Sequence, residues 1–180
     1  MIIKTLYLVR HAKSDWSVRT QRDFERGLKK SGLSDLKTIS SYLKLRQTKV
    51  DLILSSASLR TQLTADAFAQ ALSYTDTIQY MEELYLTPPE MIINVLSLQE
   101  DVYDSILLVG HNPALTELAN ILQDDAAMSK FPTLGVLSIH LDIDTWDEVK
   151  YKCHGETNFF ISPKQFKYYM PKQIQTTLEI

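Results

Sequence analysis

Apolar residues in this chain fall into short runs that stop at polar pairs. Ile2–Val9 is rich in β-branched and aromatic residues and runs directly into Arg10 and His11, which predicts a strand ending on two titratable or charged groups. A polar stretch, "KSDWSVRTQRDFERGLKK", follows. Leu36, Ile39 and Leu43 then recur at helical spacing, predicting a helix that starts near Ser31 or Ser34. "VDLILSS" reads as a short buried strand and passes without glycine or proline into "SLRTQLTADAFAQAL". There Ala65, Phe68, Ala69 and Leu72 mark one helix face.

"TIQYM" predicts a third strand. In "TPPE", Thr87 as N-cap, Pro88 at the first helical position and Glu90 two further on form a capping-box pattern ahead of a helix through "MIINVLSL". "SILLVG", Ser105–Gly110, is a fourth buried strand. Asn112 as N-cap and Pro113 open the next helix, with Leu115, Leu118, Ala119 and Leu122 inward. The last third changes character: "GVLSIHLDI" and "WDEVKYKCHG" both alternate around "DTWD", predicting an antiparallel hairpin. "SPKQFKYYMPKQIQ" predicts a short helix and an extended arm, with Phe166, Tyr168 and Tyr169 pinning it to the body. Strands alternating with helices, then an antiparallel addition, define an α/β domain over residues 1–180.

Composition narrows the partners. A net charge of -3 gives no bulk attraction to nucleic acid or membrane, so any anion site must come from local arginines. Cys153 is the only cysteine, which excludes an intrachain disulfide and a cysteine-based zinc cluster; in an alternating segment it reads as a small buried hydrophobe. The apolar run in "MIIKTLYLV" is too short for a signal-peptide core, and no later stretch has the length of a membrane span. A cytoplasmic enzyme or binding protein is expected.

Three strands end in reactive polar groups: Arg10-His11, Ser55-Ser56 with Arg60 in the next helical turn, and Gly110-His111. Ligands of open α/β sheets bind beyond the carboxyl ends of the strands. If these strands are parallel neighbours, Arg10, His11, Arg60 and His111 converge despite their separation in sequence. Two guanidinium groups match the oxygens of a phosphoryl group. A neutral histidine beside it can attack phosphorus, and a second can offset charge in the transition state. Such a site acts by position and electrostatics, so no metal or cofactor is expected. His140 and His154 read as packing or surface residues. The four histidines lack the close spacing of a metal motif. Trp16 reads either as a pocket-mouth residue or as an anchor for its loop.

"LVRHAKSDW", "LILSSASLRTQLTA" and "LLVGHNP" resemble, in order, the three motifs of the histidine phosphatase superfamily. Ala12 stands where the superfamily usually has glycine; with "KSDW" and the short chain, this is most similar to the SixA-type phosphohistidine phosphatases. The resemblance implies a three-layer phosphoglycerate-mutase-like fold: a mostly parallel central sheet flanked by helices, with an antiparallel addition in the C-terminal third. It implies His11 as nucleophile, with Arg10, Arg60 and His111 around the phosphoryl group and a backbone N–H from Asn112. The family's acid would fall at Glu83, with Glu82 the second choice. "DFERGLKKSG" partly matches a segment where relatives read Arg-Pro-Leu, but Gly27 replaces the proline after Arg26.

The expected substrate is phosphorylated, with a phosphohistidine-bearing signalling protein favoured. The segment from Met81 to Ser105 holds only one short predicted helix and leaves little material for a lid over a small metabolite. The alternatives are a broad phosphomonoesterase for small molecules and a phosphate-binding module without turnover.

Overall fold

The computed structural model describes residues 3–123, 128–151 and 154–169. Six strands join one mixed sheet: β1 (Lys4–Arg10), β2 (Leu52–Ser56), β3 (Gln79–Met81), β4 (Ser105–Gly110), β5 (Val136–Leu141) and β6 (Gly155–Ile161), in the order β3-β2-β4-β1-β5-β6. β3, β2, β4 and β1 pair in parallel, whereas β5 is antiparallel to both β1 and β6. The three strands that end in polar pairs are therefore neighbours pointing the same way, with β4 between the other two. This α/β architecture is the one expected from the sequence.

Both faces of the central strands are covered, which is why they read as nearly unbroken apolar runs rather than alternating ones. Leu6, Leu8, Leu54, Ile106 and Leu108 face helices α3 (Pro89–Ser97) and α4 (Ala114–Ile121). Tyr7, Val9, Ile53, Leu107 and Val109 face α1 (Lys30–Leu45), α2 (Leu59–Leu72) and α5 (Pro163–Tyr169). Leu36, Ile39 and Leu43 of α1, and Ala65, Phe68 and Ala69 of α2, are buried as their spacing predicts. Phe166 of α5 is also buried and meets Tyr42 edge-on. Among the described residues, no helix is long and apolar enough to cross a membrane.

Three local expectations are corrected. α3 starts one residue later than the capping-box pattern implies, with Pro88 extended at the N-cap and no side-chain cap. A residue that precedes proline is disfavoured in the helical region, and Pro89 follows Pro88. α4 likewise begins at Ala114 with Pro113 as its N-cap, because the Asn112 amide donates to the Phe131 carbonyl at 2.9 Å instead of capping the helix.

The third correction concerns the hairpin. Its second strand is β6, beyond the expected segment, and Trp146–Lys150 forms a 3-10 turn. Trp146 and Val149 are both buried, and their three-residue offset suits a helical turn better than a strand. Thr145 and Glu148 close a capping box there, while the Trp146 indole N–H donates to the Tyr103 carbonyl at 2.8 Å. Gly155 lets β6 begin where it does, since a Cβ on it would sit 2.4 Å from the Leu122 carbonyl oxygen. Cys153 and the arm after α5 lie outside the described residues, as do the side chains of Tyr168 and Tyr169.

Candidate active site

β1 delivers Arg10 and His11 to the carboxyl edge of the sheet and fixes their main chain. The His11 N–H donates to the Gly110 carbonyl at 3.2 Å, and the His11 carbonyl accepts from Leu134 N–H at 3.3 Å. Ala12 is fully buried, its N–H donates to Thr64 Oγ1, and its backbone is not in the left-handed region. A glycine is therefore not required there. The His11 ring bonds through Nδ1 to the Ala12 carbonyl at 2.7 Å. A carbonyl only accepts, so Nδ1 carries the proton and Nε2 keeps its lone pair.

His111, at the end of β4, lies 5.2 Å from His11 between ring centroids. Its Nε2 is 2.9 Å from Ser56 Oγ, and its Nδ1 is 3.5 Å from Arg60 Nη2. Because arginine only donates, Nδ1 faces it as the acceptor and Nε2–H points to Ser56. Arg60 is buried in the first turn of α2, where Thr64 Oγ–H bonds back to its carbonyl. Arg10 donates from Nη1 to the Phe131 carbonyl at 2.9 Å, the same oxygen that Asn112 bonds. Among the described residues its buried Nε has no hydrogen-bond partner, and neither has Asn112 Oδ1. A buried guanidinium donor left unmatched is costly unless a ligand meets it.

Burial is the largest influence on both histidines. It lowers His11 to about 4, with Arg60 and Arg10 pushing the same way and Asp23 and the Ala12 carbonyl opposing. It lowers His111 to about 3, helped by His11 and Arg60 and opposed by Asp23. Both rings are neutral at physiological pH. Their pKa values in the unfolded chain lie near 6.5, so between that pH and about 4 the unfolded state binds more protons. Their contribution to stability is thus complete above pH 6.5 and is lost on acidification, by up to about 1.4 kcal/mol per pH unit for each ring. Urea unfolding at pH 7.5 and pH 5 in phosphate-free buffer should show this loss, and His111→Asn should roughly halve it.

The sequence reading missed two residues that complete the cluster. Asp23 lies on a 3-10 turn, Asp23–Glu25, in the loop after β1. Its carbonyl accepts from Arg60 Nη1 at 2.6 Å, and its Oδ2 accepts from Arg60 Nη2 at 2.9 Å. Tyr85 donates its hydroxyl to the same Oδ2 at 2.6 Å and meets His111 edge-on at 5.5 Å. Both lie where no buried strand announces them. The signals available were an acid beside the loop's arginines and an aromatic after "EEL".

Glu82 and Glu83, the positions matched to the family's acid, occupy a 3-10 turn and are exposed. Among the described residues, no hydrogen bond or ion pair joins either to the histidines or arginines; the carboxylate that the structure brings to the cluster is Asp23. Arg26 is buried and spends its guanidinium on the Val18 and Gln21 carbonyls at 3.0 and 2.9 Å. Trp16, 59% exposed, lies over that guanidinium at 4.1 Å and anchors the loop rather than the pocket. His140 sits mid-strand on β5 between Thr5 and Glu156, and exposed His154 precedes β6. Neither joins the cluster.

Two buried neutral histidines, with Arg60 bonded to one of them and Arg10 next to the other in sequence, thus stand at the carboxyl edge of a three-layer α/β sheet. The sequence pattern of the histidine phosphatase superfamily (branch 1) matches residues 6–85. A SixA protein from Agrobacterium tumefaciens, provisionally assigned as a phosphohistidine phosphatase, is 30% identical with a TM-score of 0.75, over 89% of this chain and 98% of its own. The protein histidine phosphatase SixA solved with tungstate is 20% identical with a TM-score of 0.77, over 90% of this chain and 99% of that one. An uncharacterized protein of Mycobacterium tuberculosis is 27% identical over 165 residues, which are 85% of this chain and 99% of the relative. The chain belongs to the histidine phosphatase superfamily.

Proposed function

We propose that this protein is a phosphatase that works through a covalent phosphohistidine on His11, and that its substrates are protein phosphohistidines. The observation that carries this reading is the His11 ring: Nδ1–H is tied to the Ala12 carbonyl, and Nε2 is free to attack. Arg10 and Arg60 hold the phosphoryl oxygens, and the Asn112 backbone N–H adds a donor. His111 lines the same pocket, its Nδ1 accepting from Arg60 and its Nε2–H directed to Ser56, and so steadies the Arg60 fork against the phosphoryl group. The SixA relative was solved with tungstate, an oxyanion of similar shape and charge.

The substrate class follows from proton balance. When His11 Nε2 attacks a phosphorylated imidazolium, the P–N bond breaks and its electron pair returns to the leaving ring, which departs neutral. His11 becomes the phosphoimidazolium, and no proton moves. Water then attacks phosphorus, the bond to Nε2 breaks, and both water hydrogens leave on the phosphate. An alkyl monoester instead releases an alkoxide that needs an acid. Glu82 and Glu83 are exposed and unbonded to the cluster, so the site suits a leaving group that needs none. α3 buries Ile92, Val95 and Leu96 against the body, which ties the α-helix of the Met81–Ser105 segment to the core.

The test is a steady-state panel of a phosphohistidine peptide, phosphoserine and sugar phosphates, together with mass spectrometry of the His11 peptide after acid-free quenching. Preference for the phosphohistidine peptide and a phosphorylated His11 are expected. A strong preference for one small monoester would overturn the substrate, and absence of both turnover and label would leave only a binding module.

A further inference from the structure

Asp23 raises a physical question. A carboxylate beside a site built to hold a phosphoryl dianion should repel its substrate. Burial pushes this carboxyl upward, but the Tyr85 hydroxyl and Arg60 outweigh burial and hold it below the usual range. It is therefore ionised at neutral pH and cannot act as an acid. Its field also reaches both histidines, opposing the downward push of burial and the arginines.

Its two oxygens differ. Oδ2 is filled by Arg60 and Tyr85. Among the described residues Oδ1 has no hydrogen-bond partner, and its ion-pair neighbour, Arg26 Nε, lies 4.0 Å away. The side chain is 37% exposed, so Oδ1 can be reached by a ligand. The carboxylate is also well braced: Phe24, next in the chain, packs edge-on against Tyr85 at 5.0 Å, and the Tyr85 ring lies 5.8 Å from the Arg60 guanidinium. A fixed negative oxygen at the rim suits a substrate that brings a positive leaving group.

We propose that Asp23 is the specificity-determining residue of this pocket: its Oδ1 accepts the ring N–H of a phosphorylated imidazolium and so favours cationic N-phosphoryl substrates over phosphate monoesters. This rests on the reading of His11 as a phosphatase nucleophile. The hydrogen bond keeps the departing ring in its protonated, reactive form until the P–N bond breaks. The carboxylate gains and loses no proton. Against a monoester the same oxygen offers only repulsion, so one group both attracts the right substrate and disfavours the wrong one.

Asp23→Asn tests this, since an amide oxygen can still accept from Arg60 and Tyr85. Two substrates are compared: a phosphohistidine peptide, and p-nitrophenyl phosphate, whose leaving group needs no proton. We expect kcat/KM for the peptide to fall about 10- to 100-fold relative to that for p-nitrophenyl phosphate, the worth of a hydrogen bond to a charged group. An equal fall on both would mean that Asp23 only positions Arg60 and would overturn the proposal, as would no change on either. Tyr85→Phe keeps the carboxylate and should retain most of the preference; complete loss of preference there would also count against it. Failure of the phosphatase reading looks different, because wild-type protein would then form no phosphorylated His11 with either substrate.

Discussion

Replacing His11 with alanine is expected to lower kcat by at least about four orders of magnitude, as removal of a nucleophile does in enzymes with covalent intermediates. Phosphoryl label on the protein should vanish with it. The loss should be chemical rather than structural. Among the described residues the ring bonds only the Ala12 carbonyl, and the main chain of residue 11 is held independently by Gly110 and Leu134. Arg10 and Arg60 would remain in place, so orthovanadate or phosphate should still raise the thermal midpoint of the variant. That combination separates a lost nucleophile from a collapsed pocket. A variant that kept more than about a tenth of wild-type turnover would place the nucleophile elsewhere.

What was legible in the sequence follows from how each residue reaches the pocket. Arg10, His11 and His111 stand directly at the ends of buried strands, where an apolar run stops and the chain must surface. Arg60 stands in the first turn of the helix that follows such a strand. Strand ends are local features, and the parallel order β2-β4-β1 converts them into neighbours. Asp23 arrives differently: it meets Arg60 from 37 residues away, through a loop rich in both acids and bases. Nothing in that composition singles out one carboxylate. Tyr85 reaches Asp23 across 62 residues, and the group that Arg10 bonds is the Phe131 main-chain carbonyl, which has no residue signature.

The same distinction explains the errors in the fold. Periodicity located helix faces well because burial acts on many residues at once. It misplaced β6 because "VKYKC" alternates within "WDEVKYKCHG", while Trp146 needs both a deep apolar site and a partner for its indole N–H. The loop after β1 shows how much depends on contacts distant in sequence. Its Ser14 bridges to Leu28 and its Lys13 carbonyl accepts from Lys29 N–H at 2.9 Å. Gly32 is needed beside them, since a Cβ there would lie 2.6 Å from the Lys13 oxygen. That packing is what holds Asp23 within reach of Arg60, and no short motif encodes it.

Arg60→Ala should produce the second large effect, with two separable parts. Loss of one arm of the phosphate clamp should lower kcat/KM by about a thousandfold, the scale on which removing a charge-stabilising donor acts. The second part is a displaced pH profile. Arg60 helps push His11 and His111 downward, whereas Asp23 pulls both upward. Without the guanidinium, the Asp23 carboxylate is left uncompensated beside both rings, and their pKa values must rise. His11 then loses its Nε2 lone pair at a higher pH, so the acid limb of kcat/KM moves toward neutrality. Arg60→Lys should restore charge but not the fork that spans the Asp23 carbonyl and Oδ2, giving an intermediate rate. In the double variant Arg60→Ala/Asp23→Asn, the acid limb should return toward its wild-type position while the rate stays low, because the clamp is still missing. If Arg60→Ala left kcat/KM within about tenfold of wild type, Arg60 would be a structural partner of Asp23 and not a phosphate ligand.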